Sequence, residues 1–167
     1  MHCFIGLGSN LGNREENLTQ AFTGLQSRKI SINKVSSLYE TEPVGAPGQP
    51  LFLNMAAEIN TSLKPPGLLA VLKAIEHQLG RTPSLFHHPR PIDLDILLAG
   101  DMIVSRPGLI IPHPRMHERL FVLIPLNEIA PDAVHPVFKK SIKNLKQNCR
   151  DKGFVRKYGI LDFFPAD

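Results

Sequence analysis

With 167 residues and 43% hydrophobic side chains, the chain can bury one sizeable core, and residues 1–167 are read as a single compact domain. Two cysteines, Cys3 and Cys149, make neither a disulfide framework nor a cysteine metal cluster, and without a long apolar run a membrane span is excluded, so a cytoplasmic protein is expected. The net charge of +4 suits an anionic ligand, but much of it falls between Lys139 and Lys157 with no nucleic-acid motif, which reads as a solvated face.

Residues 2–7 read as a buried strand running into the turn Gly8-Ser9-Asn10-Leu11-Gly12. Gly6, Gly8 and Gly12 are spaced one residue too long for a dinucleotide fingerprint, and no Gly-Lys-Ser/Thr follows to make a Walker loop. Asn13 as N-cap, with Glu16 three later and Leu18, Ala21, Phe22 and Leu25 at helical spacing, predicts an amphipathic helix. Residues 29–40 predict a strand with a bulge near Lys34, and the Pro- and Gly-rich residues 41–50 an exposed loop. From Leu51 to Asn60 the period is two, with Leu53, Met55, Ala57 and Ile59 on one face and Phe52 with Asn54 on the other. A ring beside an amide suits a flat hydrogen-bonding ligand, although chance on a solvated sheet surface gives the same pattern. Pro65-Pro66 opens a second helix through Leu68, Leu72, Ile75 and Leu79, with Glu76 near its end and Gly80 as its stop. The proline-containing loop that follows has Arg81 at one end and Arg90 at the other.

The strongest chemical signal comes next, in Arg90-Pro91-Ile92-Asp93-Leu94-Asp95-Ile96-Leu97. In a strand, Asp93 and Asp95 point to the same side, where two like charges repel unless a cation lies between them. Mg2+, held by one or two carboxylates plus substrate phosphates, fits, and a guanidinium such as Arg90 recognises phosphate. A solvated strand face is the alternative. Further on, Met102–Val104 predicts a short strand. His113 lies between Pro112 and Pro114, which oppose the helix that a His113–His117 metal pair needs, so a phosphate contact is preferred. An apolar run with helix and turn signals ends in Pro125–Pro131, and the basic tail reads as a helix followed by a strand. The order β-α-β-β-α-β predicts an α+β fold with a ferredoxin-like core, helices packing against a mostly antiparallel sheet.

The combination resembles 6-hydroxymethyl-7,8-dihydropterin pyrophosphokinases of folate biosynthesis. The shared stretches are Gly8–Gly12, Tyr39–Gly45, Phe52–Asn54, Gly80-Arg81, Pro89–Leu97, and Ile111–His113 continuing through Arg119, Phe121 and Pro125–Pro131, all in family order. The resemblance implies transfer of the β,γ-diphosphoryl group of ATP, the co-substrate, to the pterin hydroxymethyl oxygen, releasing AMP. It implies two Mg2+ ions on Asp93 and Asp95, with Arg81 and Arg90 sharing the catalytic role. It implies ATP contacts at Glu76, Arg81, Arg90, Ile96, His113 and Arg119, and pterin contacts at Thr41, Pro43, Val44, Gly45, Phe52, Asn54 and Phe121. One departure is the loop 82–88, which contains no arginine or lysine and has His87 and His88 where relatives carry Trp-Gly. If either imidazole touches phosphate, ATP binding tightens as pH falls from about 8 to 6. A monomer acting on small molecules is expected, without nucleic-acid or membrane partners. The rivals are a non-catalytic ferredoxin-like ligand sensor, which has no use for paired Asp93 and Asp95, and a basic nucleic-acid module with a steep salt dependence.

Overall fold

The computed structural model describes residues 1–82 and 88–163. The chain runs through β1 (His2–Ser9), α1 (Arg14–Gln26), β2 (Ser31–Val35), β3 (Leu38–Thr41), β4 (Phe52–Asn60), α2 (Pro65–Gln78) and β5 (Asp93–Ala99). It continues with the hairpin β6 (Val104–Arg106) and β7 (Leu109–Ile111), a 3-10 turn (Met116–Glu118) and α3 (Leu120–Ile129). The hairpin β8 (Val134–His135) and β9 (Lys140–Ser141), α4 (Ile142–Gln147) and β10 (Val155–Gly159) follow. Asn13 caps α1 as its position predicts, accepting the Glu16 N–H at 3.1 Å.

The main sheet has the order β10-β3-β4-β1-β5, with β2 also pairing β4, and every pairing in it is antiparallel. With β1 between the third and fourth strands of the β-α-β-β-α-β unit, this is the ferredoxin-like α+β arrangement. The apolar stripes of α1 and α2 bury Leu18, Phe22, Leu25, Leu68, Leu72 and Ile75 against Leu53, Met55, Ala57 and Ile59 of β4. On the opposite face, Leu123, Leu126 and Ile142 from α3 and α4 pack on Phe4, Ala56 and Leu97. That second layer covers only part of the sheet. At the end it leaves open, Phe52 and Asn54 of β4 and Asp93 and Asp95 of β5 line a cavity.

Two elements differ from their sequence pattern. The strand predicted over 29–40 is two strands, because the nine residues of β4 are paired by β2 along one half and by β3 along the other. At the break Ser36 stays on β4: its N–H donates to Ala56 O and its Oγ accepts the Ala56 N–H, both at 2.9 Å. The register irregularity lies between Ile32 and Lys34, next to the predicted bulge. The strand predicted at 102–104 is displaced to β6, paired with β7 across Pro107 and Gly108, whose φ of +77° suits glycine. The late helix and strand both form, and β10 extends the sheet beyond β3. Among the described residues, no helix is long and apolar enough to cross a membrane.

Candidate functional site

The open end of the sheet forms one cavity of about 400 Å³. Asp93 and Asp95 enter it from β5, registered opposite Gly8 and Gly6 of β1, which also line it. With Leu94 and Ile96 pointing into the helix layer, the period of two turns both carboxylates the same way, as the sequence predicts. Their surroundings are unequal. Asp93 Oδ1 accepts from Arg81 at 2.6 Å and its Oδ2 lies 3.2 Å from Arg90. Asp95 has no ion pair among the described residues, and burial, then the neighbouring charge of Asp93, pushes its carboxyl up to about 6.

Arg81 is held from behind. Its guanidinium lies 2.6 Å from Glu76 Oε1, a buried carboxylate at the end of α2 that also accepts the Leu94 N–H at 2.7 Å and pairs with Lys73 at 3.0 Å. Glu76 therefore fixes the start of β5 and the arginine facing it. Neither Glu76 nor Arg81 lines the large cavity; Arg81 lines a smaller one of about 100 Å³ together with Arg90 and His88. His87 lies outside the described residues, and His88 borders both cavities. Ile96 is 5% exposed, with its side chain in the α1/α2 core.

Opposite the carboxylates stand Arg119 and His113, both lining the cavity. The Nε atoms of Arg90 and Arg119 are buried with no hydrogen-bond partner among the described residues. Buried donors without acceptors are costly, and a ligand rich in oxygen acceptors would satisfy them. His113 is positioned by its N–H to Leu97 O at 2.9 Å, and its Nδ1 accepts the Arg115 N–H at 3.1 Å, which leaves the proton on Nε2. Burial and then the charge of Arg119 push its imidazole down to about 4, so at neutral pH it is an uncharged donor. No helix forms at His113, in keeping with its flanking prolines.

The other half of the cavity is less charged. Phe52, Asn54, Thr41, Pro43 and Val44 line it together with Phe121 at the start of α3. Asn54 donates to Thr41 Oγ1 at 2.7 Å across the β3–β4 pair, which orients its amide, and the Arg90 guanidinium lies 5.4 Å from the Phe52 ring centroid. Gly45, at φ +68°, turns the same loop but does not line the cavity.

Two residues of the shared Gly8–Gly12 stretch carry roles that the sequence alone does not assign. A Cβ on Gly8 would stand 2.5 Å from Asn54 Oδ1, so glycine here makes room for the amide. Glycines at alternate strand positions, facing two aspartates on the next strand, were the available signal. Gly8→Ala is expected to displace the Asn54 amide and to weaken ligand binding in this half about as much as Asn54→Ala, by about 1–3 kcal/mol, readable by calorimetry. Asn10, 1% exposed, accepts the Arg90 N–H at 2.8 Å and donates to Pro50 O and Gln49 Oε1, each at 3.2 Å. One buried amide thus ties the Pro-rich loop to the segment bearing Arg90.

The family model for 7,8-dihydro-6-hydroxymethylpterin-pyrophosphokinase matches residues 4–131. A 2-amino-4-hydroxy-6-hydroxymethyldihydropteridine pyrophosphokinase of Bacillus subtilis is 54% identical over 127 residues, spanning 75% of this chain and 76% of its own. A protein of the same description from Aquifex aeolicus is 38% identical over 143 residues, spanning 86% of this chain and 89% of its own. Among solved structures, wild-type Plasmodium falciparum HPPK-DHPS superposes with a TM-score of 0.68 at 17% identity, a likeness of fold alone, over 87% of this chain and 44% of that longer one. With a match of this extent, and motif residues of both halves gathered in one cavity, the chain belongs to the 7,8-dihydro-6-hydroxymethylpterin-pyrophosphokinase family.

Proposed function

We propose that the chain transfers the β,γ-diphosphoryl group of ATP to the hydroxymethyl oxygen of 6-hydroxymethyl-7,8-dihydropterin, giving the pterin diphosphate and AMP in folate biosynthesis. The observation that carries this is one cavity with two unlike halves: an aromatic and amide half around Phe52, Asn54 and Phe121, and a charged half around Asp93, Asp95, Arg90, Arg119 and His113. A flat heterocycle with an amide edge fits the first and a polyphosphate the second, with the reacting atoms meeting between them.

In this reading Asn54, oriented by Thr41, hydrogen-bonds the pterin edge, while Phe52 and Phe121 bracket its ring and the Thr41–Gly45 loop adds backbone contacts. Arg90, Arg119 and the neutral His113 Nε2–H contact phosphate oxygens, and Arg81 joins them while braced by Glu76. Ile96, its side chain buried, leaves only its main chain to meet the nucleotide. Two carboxylates fit Mg2+, because each Asp93 oxygen keeps a lone pair beyond its arginine and Asp95 is unpaired among the described residues. We propose two such ions, which when bound would neutralise phosphate charge along the ATP chain. The pterin oxygen attacks the β-phosphorus, the bond from that phosphorus to the oxygen bridging the α-phosphate breaks, AMP leaves with that oxygen, and the hydroxyl proton is released. Such a transfer needs positioning and charge neutralisation, which these residues supply without a covalent nucleophile. The 167 residues are proposed to act as a single, monomeric, cytoplasmic domain on small molecules, without nucleic-acid or membrane partners.

Calorimetry with each ligand tests the division of the cavity. Asn54→Ala should weaken pterin binding by about 1–3 kcal/mol and leave Mg·ATP binding nearly unchanged. Equal losses for both ligands, or no loss, would contradict the reading.

A further inference from the structure

The residues just before β10 lie beyond the stretch that the family model matches, yet they touch both walls of the cavity. Asp151 Oδ2 accepts the Leu120 N–H at 2.9 Å. That N–H opens α3, whose N-cap residue, Arg119, makes no side-chain capping bond, so the carboxylate of a residue distant in sequence fills the capping role. Leu120 lies between Arg119 and Phe121, which both line the cavity. Asp151 Oδ1 meanwhile accepts the Gly153 N–H at 2.8 Å, closing a tight turn. One residue later the Phe154 N–H donates to Glu42 Oε1 at 3.1 Å, and Glu42 lines the facing wall beside Thr41, Pro43 and Val44. From there β10 pairs with β3, Val155 opposite Thr41 and Arg156 opposite Glu40, and Arg156 reaches Glu40 Oε1 at 2.7 Å. A Cβ on Gly153 would lie 3.1 Å from Asp151 Oδ1 and 3.6 Å from Glu42 Oε1, so the two carboxylates converge on this glycine.

We propose that Asp151–Phe154 is a positioning strap that sets the separation of the two pterin-facing walls, with Asp151 as its positioning residue. One end of the strap fixes the N-terminus of α3, which presents Phe121; the other fixes the start of the loop that presents Pro43 and Val44. The strap makes no hydrogen bond to Asp93, Asp95 or Arg90, and of the residues proposed to contact phosphate it adjoins only Arg119, through Leu120, so its larger influence falls on the pterin half of the cavity. This inference rests on the pyrophosphokinase reading and deepens it.

The test uses the whole chain and steady-state formation of AMP from ATP and the reduced hydroxymethylpterin with Mg2+. Asp151→Ala should raise KM for the pterin about tenfold while KM for ATP stays within about twofold. Asp151→Asn, which keeps one acceptor oxygen for two N–H donors, should fall between the alanine variant and wild type. Gly153→Ala, whose Cβ would crowd Asp151 Oδ1 at 3.1 Å, should shift the pterin KM in the same direction. A merely structural role would lower the thermal midpoint without separating the two KM values. If Asp151→Ala fails to fold, the same split is read in Asp151→Asn and Gly153→Ala. Unchanged or equally shifted KM values in folded variants overturn the strap alone. A wild-type chain that forms no AMP overturns the pyrophosphokinase reading and the strap with it.

Discussion

Asp95→Asn is expected to lower diphosphate transfer by about a thousandfold or more, and at the same time to stabilise the ligand-free protein at neutral pH. Both effects follow from one geometry. Asp95 sits beside Asp93 in a half-buried cavity that opposes its ionisation, and its carboxyl titrates near 6 in the folded chain against 3.8 unperturbed. The folded protein therefore holds that proton more tightly than the unfolded chain does. The stability tied to it is complete below about pH 4 and is lost as pH rises through about 6. At pH 7.5 the charge opposes folding by about 1–3 kcal/mol, which the asparagine removes. Without Mg2+, the urea midpoint of the variant should exceed that of wild type at pH 7.5, and the gap should close as pH approaches 4. Asp93→Ala should abolish transfer as well but bring no such gain, because its charge is already met by Arg81 and Arg90. Near-normal turnover in either variant, or a less stable Asp95→Asn protein at pH 7.5, would remove the carboxylate pair from the proposed metal site.

Glu76→Ala is expected to produce the largest loss of stability, about 2–4 kcal/mol in urea unfolding. The side chain is 4% exposed and receives the Leu94 N–H, Arg81 and Lys73. Removing it buries an unmet N–H at the start of β5, leaves Lys73 without its carboxylate and leaves Arg81 with Asp93 alone. The lysine, 48% exposed, recovers much of its loss in water, which keeps the figure below that for a wholly buried network. Activity should also fall, since Arg81 loses its brace behind Asp93. Glu76→Gln retains an acceptor for Leu94 and should cost roughly half as much. A cost under about 1 kcal/mol for the alanine variant would mean that Glu76 does not organise this corner.

Much of this site was legible because strands carry a strict period of two. That period placed Asp93 with Asp95, and Phe52 with Asn54, on the faces where the structure has them, and helical spacing with a capping asparagine located α1. Contacts that join distant segments left no local trace. The reach of Glu76 to Leu94 crosses from the helix layer to the sheet, the Asn10 amide links residues forty and eighty positions away, and Asp151 caps a helix thirty-one residues before it. The glycines of β1 gave no positive signal for a different reason. Their spacing fits neither phosphate-loop pattern, and Gly8 instead serves as the floor that admits Asn54. The pattern over 29–40 is continuous and so predicts one strand. Its division at Ser36 is set by where β4 changes partner, which periodicity does not report.

The central claim is that the cavity moves two phosphoryl groups together from the nucleotide to the pterin. Incubating the protein with ATP, Mg2+ and 6-hydroxymethyl-7,8-dihydropterin, and resolving the nucleotide and pterin products by mass, tests it most directly. The proposed chemistry gives AMP and a pterin heavier by a diphosphoryl group in equal amounts, with no ADP accumulating. ADP with a singly phosphorylated pterin, or unchanged ATP in the presence of folded protein, would contradict it.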